Sequence, residues 1–263
     1  MPGHSLTFKA GSGALESVRR HGFDVGSIGT IAGASGGAKW LVLSQLDRAI
    51  LSTVVPRLRG PVHLIGSSIG SWRFACYAQS DPVAAIERFE EAYLGQTYSE
   101  KPDIHEITAL SRNILRYVLG EAGVAQILEG PLFRMHVMAV RARHVMASEK
   151  PAVLATALIT SALLNAVSRS TLGWSFERAL FYDARDLPPF FDVDGFPLQR
   201  IPLAADNLED AVVASGSIPL VLSGVRDIAG ARPGVYRDGG VSDCHLDLPH
   251  AAAERLSLYP LFY

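Results

Sequence analysis

Apolar runs that end in glycine-rich turns alternate with helix-length segments along the N-terminal third of the chain. The runs have the length of buried strands, and the turns after them combine Gly with Ser. The predicted strands are Leu6–Lys9, Gly29–Ala32 and Val62–Ile65. The helices predicted to follow them are Ala14–Arg20, Lys39–Leu51 and Ser71–Gln79. Three strand–turn–helix units in succession favour an α/β fold with a mostly parallel sheet and helices on its faces.

The middle of the chain is more helical. Apolar residues at helical spacing predict helices over Asp81–Leu94 and Ile104–Leu119, and Met135–Val140 has the character of a buried strand. Four prolines within residues 186–202 indicate loops and edge structure. No segment has the composition of a linker, so we expect a single domain over residues 1–263.

The most apolar stretch is Ala152–Val167, sixteen residues without a charge. It is shorter than the roughly 18–20 residues that span a bilayer. We therefore expect a buried or half-buried helix, with a membrane-facing or lid helix as the alternative. The three tryptophans, Trp40, Trp72 and Trp174, are expected in the core or in the wall of a pocket.

Composition and charge narrow the class of protein. Apolar residues make up 48% of the chain and charged residues 19%, which excludes intrinsic disorder and supports a sizeable core. The net charge is −2 and no run of Lys or Arg occurs, so nucleic acid is not an expected partner. Two cysteines and an N-terminus without a secretory signal favour the cytoplasm.

The glycine turns do not fit a nucleotide cofactor. In Gly33–Lys39, Ala38 stands where a phosphate-binding loop needs Gly, and Trp40 stands where it needs Ser or Thr. The turn Gly11-Ser12-Gly13 lacks the third glycine of the dinucleotide fingerprint, because Glu16 occupies that place. The spacing of potential ligands suggests no metal site either, and we expect neither a cofactor nor a metal.

The pattern Gly-x-Ser-x-Gly occurs twice, around Ser35 and around Ser68. Each serine follows a predicted strand and precedes a predicted helix. A nucleophile elbow needs this arrangement, because a sharp turn lifts the hydroxyl above the sheet edge, and flanking glycines avoid clashes in that turn. Both serines are therefore candidate nucleophiles.

A serine nucleophile needs a base, and the residues leave two options open. In the order of the α/β-hydrolases the acid and the histidine follow the serine, which leaves Asp238 or Asp243 with His245 or His250. These residues lie close together in the sequence and share one turn, an awkward source for two members of a triad. The other option is a carboxylate that acts directly as the base.

Four motifs, in order along the chain, resemble those of the patatin-like phospholipases. They are Gly36-Gly37-Ala38-Lys39, the elbow Gly66–Ser71, the segment Ala214-Ser215 to Ile218-Pro219, and Asp238-Gly239-Gly240 followed by Leu248-Pro249. Each motif alone is a weak signal, whereas the ordered set, from about residue 28 to residue 249, is specific.

The resemblance implies a three-layer α/β/α sandwich and a catalytic dyad of Ser68 and Asp238 that works without histidine. It implies an oxyanion hole formed by the backbone of Gly36, Gly37 and Ala38. It further implies hydrolysis of lipid acyl esters without a metal, so that the expected partner is a lipid or another acyl ester, with transient contact to a membrane surface. The sequence does not indicate an oligomeric state.

Ser35 remains the alternative nucleophile, because Gly33-Ala34-Ser35-Gly36-Gly37 itself matches the elbow pattern. The oxyanion turn would then be Gly11–Gly13. We favour Ser68, because the family places a glycine turn, a helix and a strand between the oxyanion hole and the elbow, and the interval from Gly36 to Ser68 holds all three.

Two other functions fit the same motifs. One is an intracellular polyester depolymerase that uses the same catalytic groups. The other is a lipid- or partner-binding module on a patatin-like scaffold without turnover, since a fold by itself does not establish an activity.

Overall fold

A computed structural model describes residues 7–192, 197–246 and 255–261. Its strands form one sheet with helices against it. The strands are β1 (Ile28–Gly33), β2 (Val62–Ser67), β3 (Phe133–Ala142), β4 (Phe176–Tyr182), β5 (Leu198–Pro202), β6 (Val225–Arg226), β7 (Val235–Asp238) and β8 (Leu256–Leu258). The α-helices are α1 (Ser12–His21), α2 (Trp40–Ala49), α3 (Ile69–Tyr77), α4 (Pro82–Leu94), α5 (Ile104–Leu119), α6 (Gly123–Glu129), α7 (Pro151–Val167), α8 (Leu172–Ser175), α9 (Leu208–Ser215) and α10 (Gly240–Asp243).

The sheet is mostly parallel, as the sequence predicts. The strand order is β5-β4-β3-β2-β1-β8, and β8, β1, β2 and β3 all run in the same direction. Strand β4 is antiparallel to β3, and β5 is parallel to β4. The α/β class with a mostly parallel central sheet is therefore confirmed.

Helices cover both faces of this sheet. Side chains alternate along each strand, so residues of one strand pack against different helices on the two faces. On one face, Met135 and Val137 of β3 join a core that includes Phe74 of α3 and Leu115 of α5. On the other face, Val140 of the same strand packs in a cluster with residues of α7. This arrangement is consistent with three layers.

One feature of the sheet brings two distant parts of the chain together. Strand β3 pairs with two strands along one of its edges. Residues 133–138 pair with the parallel β2, and residues 139–142 pair with the antiparallel β7. Ser67 is the last partner in β2, opposite Met138, and Asp238 is the first partner in β7, opposite Ala139. The carboxyl ends of β2 and β7 therefore meet head to head.

The strand predicted at Leu6–Lys9 is wrong for its described part. Residues 7–9 have no regular structure, Phe8 is 88% exposed, and Leu6 lies outside the described residues. The physical reason is that β8 occupies the sheet position beside β1. No residue of α1 is buried, so this N-terminal unit adds nothing to the core. Two strand–turn–helix units, β1 with α2 and β2 with α3, remain of the predicted three.

Helix α7 is less buried than the sequence analysis expects. Its buried residues, Leu154, Ala157 and Ser161, form a single narrow stripe. Trp174 follows the helix and is 74% exposed, which corrects the expectation that it belongs to the core or to a pocket wall. Trp40 and Trp72 are buried.

Within the described residues, no helix combines the length and the apolar character required to cross a membrane.

Candidate active site

Ser68 lies in a sharp turn between β2 and α3, the position that a nucleophile elbow requires. Its φ of 55° and ψ of −127° are unusual for a residue with a side chain, and such strain costs on the order of 1–3 kcal/mol. The flanking glycines are required by space. A Cβ on Gly70 would lie 2.0 Å from the carbonyl oxygen of Gly33, and one on Gly66 would lie 2.4 Å from the nitrogen of Ser71. The predicted placement of this motif between a strand and a helix is confirmed, and the strand is parallel to both of its neighbours.

Ser68 and Asp238 meet where β2 and β7 converge. The Ser68 hydroxyl donates a hydrogen bond of 2.6 Å to Oδ2 of Asp238, a distance at which a general base can act. The other carboxylate oxygen, Oδ1, accepts from the backbone N–H of Gly240 at 2.6 Å. Gly239 permits the close packing behind the carboxyl, because a Cβ there would lie 2.2 Å from the carbonyl oxygen of Met138. Both dyad side chains are buried.

Burial sets the protonation of Asp238. Desolvation raises the pKa of its carboxyl from 3.8 to about 6, against the opposing effect of the hydrogen bonds from Ser68 and Gly240. A base with a pKa near 6 is ionised at neutral pH and yet basic enough to take a proton in a transition state. The environment of this carboxyl therefore suits general base catalysis.

Ser215, at the carboxyl end of α9, holds the elbow in place. Its hydroxyl donates to the carbonyl oxygen of Met138 at 2.6 Å. Because that uses its only hydrogen, the same oxygen accepts from the backbone N–H of Ser68 and from the hydroxyl of Ser71, each at 2.9 Å. One fully buried side chain thus connects β3, the strained residue and the first turn of α3.

The glycine turn after β1 borders the dyad. The Ser35 hydroxyl donates to Oγ of Ser67 at 3.1 Å, and the Ser35 N–H donates to the carbonyl oxygen of Cys244 at 3.1 Å. Ser35 also lies close to Asp238, because a Cβ on Gly240 would lie 2.6 Å from Ser35 Oγ and 2.8 Å from Oδ1 of Asp238. Ser35 is therefore a neighbour of the dyad, and its hydroxyl is bonded to another serine.

The same turn contains the predicted oxyanion donors. Gly37 has a φ of 54°, a conformation that glycine adopts freely, and a short 3-10 helix begins there. Within the described part of the chain, no protein acceptor takes the N–H groups of Gly36, Gly37 and Ala38. The backbone N–H of Ile69, at the start of α3, is a further donor of the kind that elbows use, and the sequence analysis does not single it out.

Of the residues in the predicted triad option, Asp238 lies in this site, and none of the others forms a described hydrogen bond to Ser68 or Asp238. Asp243 accepts two hydrogen bonds of 2.7 Å from the buried guanidinium of Arg178. His245 is exposed, and His250 lies outside the described residues, as does the Leu248-Pro249 motif. Among the described residues, no group of His, Cys, Asp and Glu side chains is arranged to hold a metal ion.

We expect Ser215→Ala to lower the rate at which Ser68 reacts with a fluorophosphonate by about tenfold or more. The substitution leaves two buried donors without an acceptor, which costs about 1–3 kcal/mol and lets the turn relax. Labelling rates, together with kcat and KM for a soluble ester, measure the effect, and Ser215→Thr should restore most of the rate because it keeps the hydroxyl.

Ser217→Ala is the matched control. Ser217 is as buried as Ser215, but its hydroxyl donates only to the carbonyl oxygen of Val213 in the preceding helix. Removal of the Ser217 hydroxyl should leave the rate of fluorophosphonate labelling within about twofold of the wild type. An unchanged rate in Ser215→Ala would show that the turn holds its shape without this hydroxyl.

Comparison of the chain with protein-family models, with curated proteins and with solved structures finds no match.

Proposed function

We propose that the chain is a serine esterase of the patatin-like kind, which hydrolyses lipid acyl esters with Ser68 as nucleophile and Asp238 as base. The observation that carries the proposal is the 2.6 Å hydrogen bond from the hydroxyl of a strained, buried serine to a carboxyl of raised pKa. Proteins retain strain of this kind where surrounding structure enforces it, most often at functional sites. A binding module needs no hydroxyl that is hydrogen-bonded to a potential base, so the pair of Ser68 and Asp238 favours catalysis over a module without turnover.

The proposed reaction begins with attack on the ester carbonyl. Ser68 Oγ forms a bond to the carbonyl carbon while its proton passes to Oδ2 of Asp238. The negative charge that develops on the carbonyl oxygen is held by the N–H groups of the turn Gly36–Ala38 and of Ile69. Each such donor contributes about 10²–10³ in rate in related chemistry.

The tetrahedral intermediate then collapses to an acyl-enzyme. The bond from carbon to the leaving oxygen breaks, and Asp238 returns the proton to that oxygen, so that the alcohol departs neutral. In the second half, water attacks the Ser68 ester while Asp238 takes a proton from the water. The fatty acid leaves and the proton returns to Ser68, which restores the starting state without a histidine or a metal.

A series of p-nitrophenyl esters tests the proposal. We expect a burst of p-nitrophenol that approaches the concentration of protein, followed by slower turnover, because an acyl-enzyme accumulates. The rate should rise from acetate to longer acyl chains, because each additional buried CH₂ contributes about 0.8 kcal/mol. Hydrolysis of phosphatidylcholine should release free fatty acid.

The same assays identify the alternatives. Folded protein without a burst, without turnover and without fluorophosphonate labelling would contradict the esterase and indicate a binding module. Preferential cleavage of hydroxyalkanoate oligomers over fatty acyl esters would replace the lipid by a polyester as substrate.

A further inference from the structure

A ridge of apolar side chains stands exposed on α7. Ile159, Leu163 and Val167 are spaced four residues apart, and they are 63%, 67% and 86% exposed. At 100° per residue, this ridge lies opposite the buried stripe of the helix, which faces the sheet. Val145 and Trp174, on the short segments that flank and contact α7, are also exposed. We call these five side chains the α7 surface.

The segment that carries the α7 surface has more positive than negative charges, in a protein whose net charge is −2. Residues 143–174 contain three cations, at Arg143, Lys150 and Arg169, and the single carboxylate Glu149. Glu149 is not free to offset them, because it pairs with Arg237 at 2.9 Å. The seventeen residues of α7, which carry no charge, thus lie between Lys150 at one end and Arg169 at the other.

A second copy of the chain fits this surface poorly. An antiparallel pair of α7 helices brings Lys150 beside Arg169, and a parallel pair brings each cation beside its own copy. Like charges at both ends oppose either arrangement. The combination of exposed apolar side chains, an exposed tryptophan and flanking cations instead matches an interface of acyl chains and acidic headgroups.

The α7 surface is also tied to the candidate active site. Arg169, two residues beyond the end of α7, donates to the carbonyl oxygen of Ser242 at 3.0 Å and lies 3.5 Å from Oδ1 of Asp243, while its side chain stays 61% exposed. Ser242 belongs to α10, which begins two residues after the base Asp238. A lipid layer against α7 would therefore lie beside the turn that carries the dyad.

From these observations we propose that the α7 surface docks on a bilayer that contains anionic lipid, with α7 lying in the plane of the interface. The ridge inserts among the acyl chains, Trp174 lies at headgroup level, and Lys150 and Arg169 contact the acidic headgroups. Docking does not depend on Ser68 being a nucleophile, so its test is independent of the proposed hydrolysis.

Co-sedimentation with vesicles tests the docking. The protein carries Ser68→Ala, so that hydrolysis cannot alter the lipid, and the vesicles contain phosphatidylcholine and phosphatidylglycerol in about equal amounts. We expect Leu163→Ser combined with Val167→Ser to lower the partition coefficient about tenfold or more, because two apolar side chains leave the interface. We expect Lys150→Gln to lower it about fivefold, and this difference should vanish on vesicles of phosphatidylcholine alone.

Matched variants elsewhere separate the α7 surface from general effects. Val42→Ser changes a valine that is 74% exposed on α2. This helix packs against α4, where its Trp40 stacks on Phe89, so the variant tests an exposed valine on a different helix. Lys101→Gln removes an exposed cation in the loop before α5. Both should bind vesicles as the parent does. Thermal unfolding, and turnover of a soluble ester measured in protein that retains Ser68, should be unchanged by the α7 substitutions.

Three results would overturn the proposal. The first is absence of binding to the anionic vesicles. The second is binding that the double substitution at Leu163 and Val167 leaves intact, which would place the contact elsewhere. The third is a dimer in light scattering that the double substitution dissociates while vesicle binding persists, since the occupant would then be a second copy.

Discussion

Ser68→Ala should remove all labelling by a fluorophosphonate and lower kcat for ester hydrolysis on the order of 10⁴-fold or more, because the proposed nucleophile is deleted. A methyl group cannot attack a carbonyl, and the residual rate comes from binding and the oxyanion donors alone. Ser35→Ala should still be labelled, with a loss of about tenfold at most. Its hydroxyl donates to Ser67, so its removal perturbs the neighbouring turn and leaves the Ser68–Asp238 pair in place.

The two serine variants control each other, because both replace a small residue in a glycine turn. Circular dichroism and thermal unfolding establish that each is folded. The reverse pattern, labelling lost in Ser35→Ala and kept in Ser68→Ala, would make Ser35 the nucleophile and move the oxyanion hole to Gly11–Gly13. It would also leave the strained backbone of Ser68 without a catalytic reason.

Asp238→Asn should lower kcat on the order of 10³–10⁴-fold, because an amide cannot take the proton of Ser68. In the wild type, kcat/KM should fall about tenfold per pH unit below about 6 and be level above it, because only the ionised carboxyl acts as base. Stopped assays with a soluble ester over this range measure the profile. A limb near pH 7 that disappears in His245→Ala would instead indicate a histidine base.

The same carboxyl should destabilise the protein above pH 6. Its pKa is about 6 when folded and 3.8 in the unfolded chain, so the folded state binds more protons between these values. The free energy of unfolding therefore falls as the pH rises through this window, by up to about 3 kcal/mol. An amide at this position is neutral at every pH, so we expect Asp238→Asn to unfold at a higher temperature than the wild type at about pH 8.

This combination of lost turnover and gained stability separates a catalytic base from a structural carboxylate. If Asp238 served only to hold the elbow, its replacement would destabilise the protein at every pH. His245→Ala is the control for a nearby titratable group. Because His245 is exposed, its replacement should leave both turnover and stability within about twofold and about 0.5 kcal/mol of the wild type.

Local patterns in the sequence were enough to predict three adjacent strands of the sheet, β1, β2 and β3. Strands β1 and β2 carry short, largely apolar runs, and the glycine pattern around Ser68 reflects contacts too close for a Cβ, so both features are visible in adjacent residues of the sequence. The bounds predicted for α5, Ile104–Leu119, are those observed. The prediction of a strand at Leu6–Lys9 was wrong for the described residues, because a short apolar run does not reveal which segment pairs with the edge of the sheet. The segment that pairs with β1 is β8.

The links within the candidate site were harder to predict, because they join residues far apart in the sequence. Ser215 stands 147 positions from Ser68, and nothing around it indicates that its hydroxyl reaches the elbow. The motif Ala214-Ser215 marked this segment in the sequence, but it did not predict what the side chain of Ser215 does. Similarly, the apolar character of α7 could not distinguish a core helix from an exposed one, because that depends on what packs over it.

The head-to-head meeting of β2 and β7 has a consequence for how the site comes into being. Ser68 and Asp238 are 170 positions apart, so the loop that their contact closes contains most of the chain. We expect contacts of such long range to form late in folding, because closing the loop costs conformational entropy before the contacts stabilise the chain. During synthesis, the elbow with β1 and β2 leaves the ribosome long before the residue proposed as its base. A nascent chain therefore carries an unactivated hydroxyl, and the proposed hydrolytic centre arises only when β7 docks on β3.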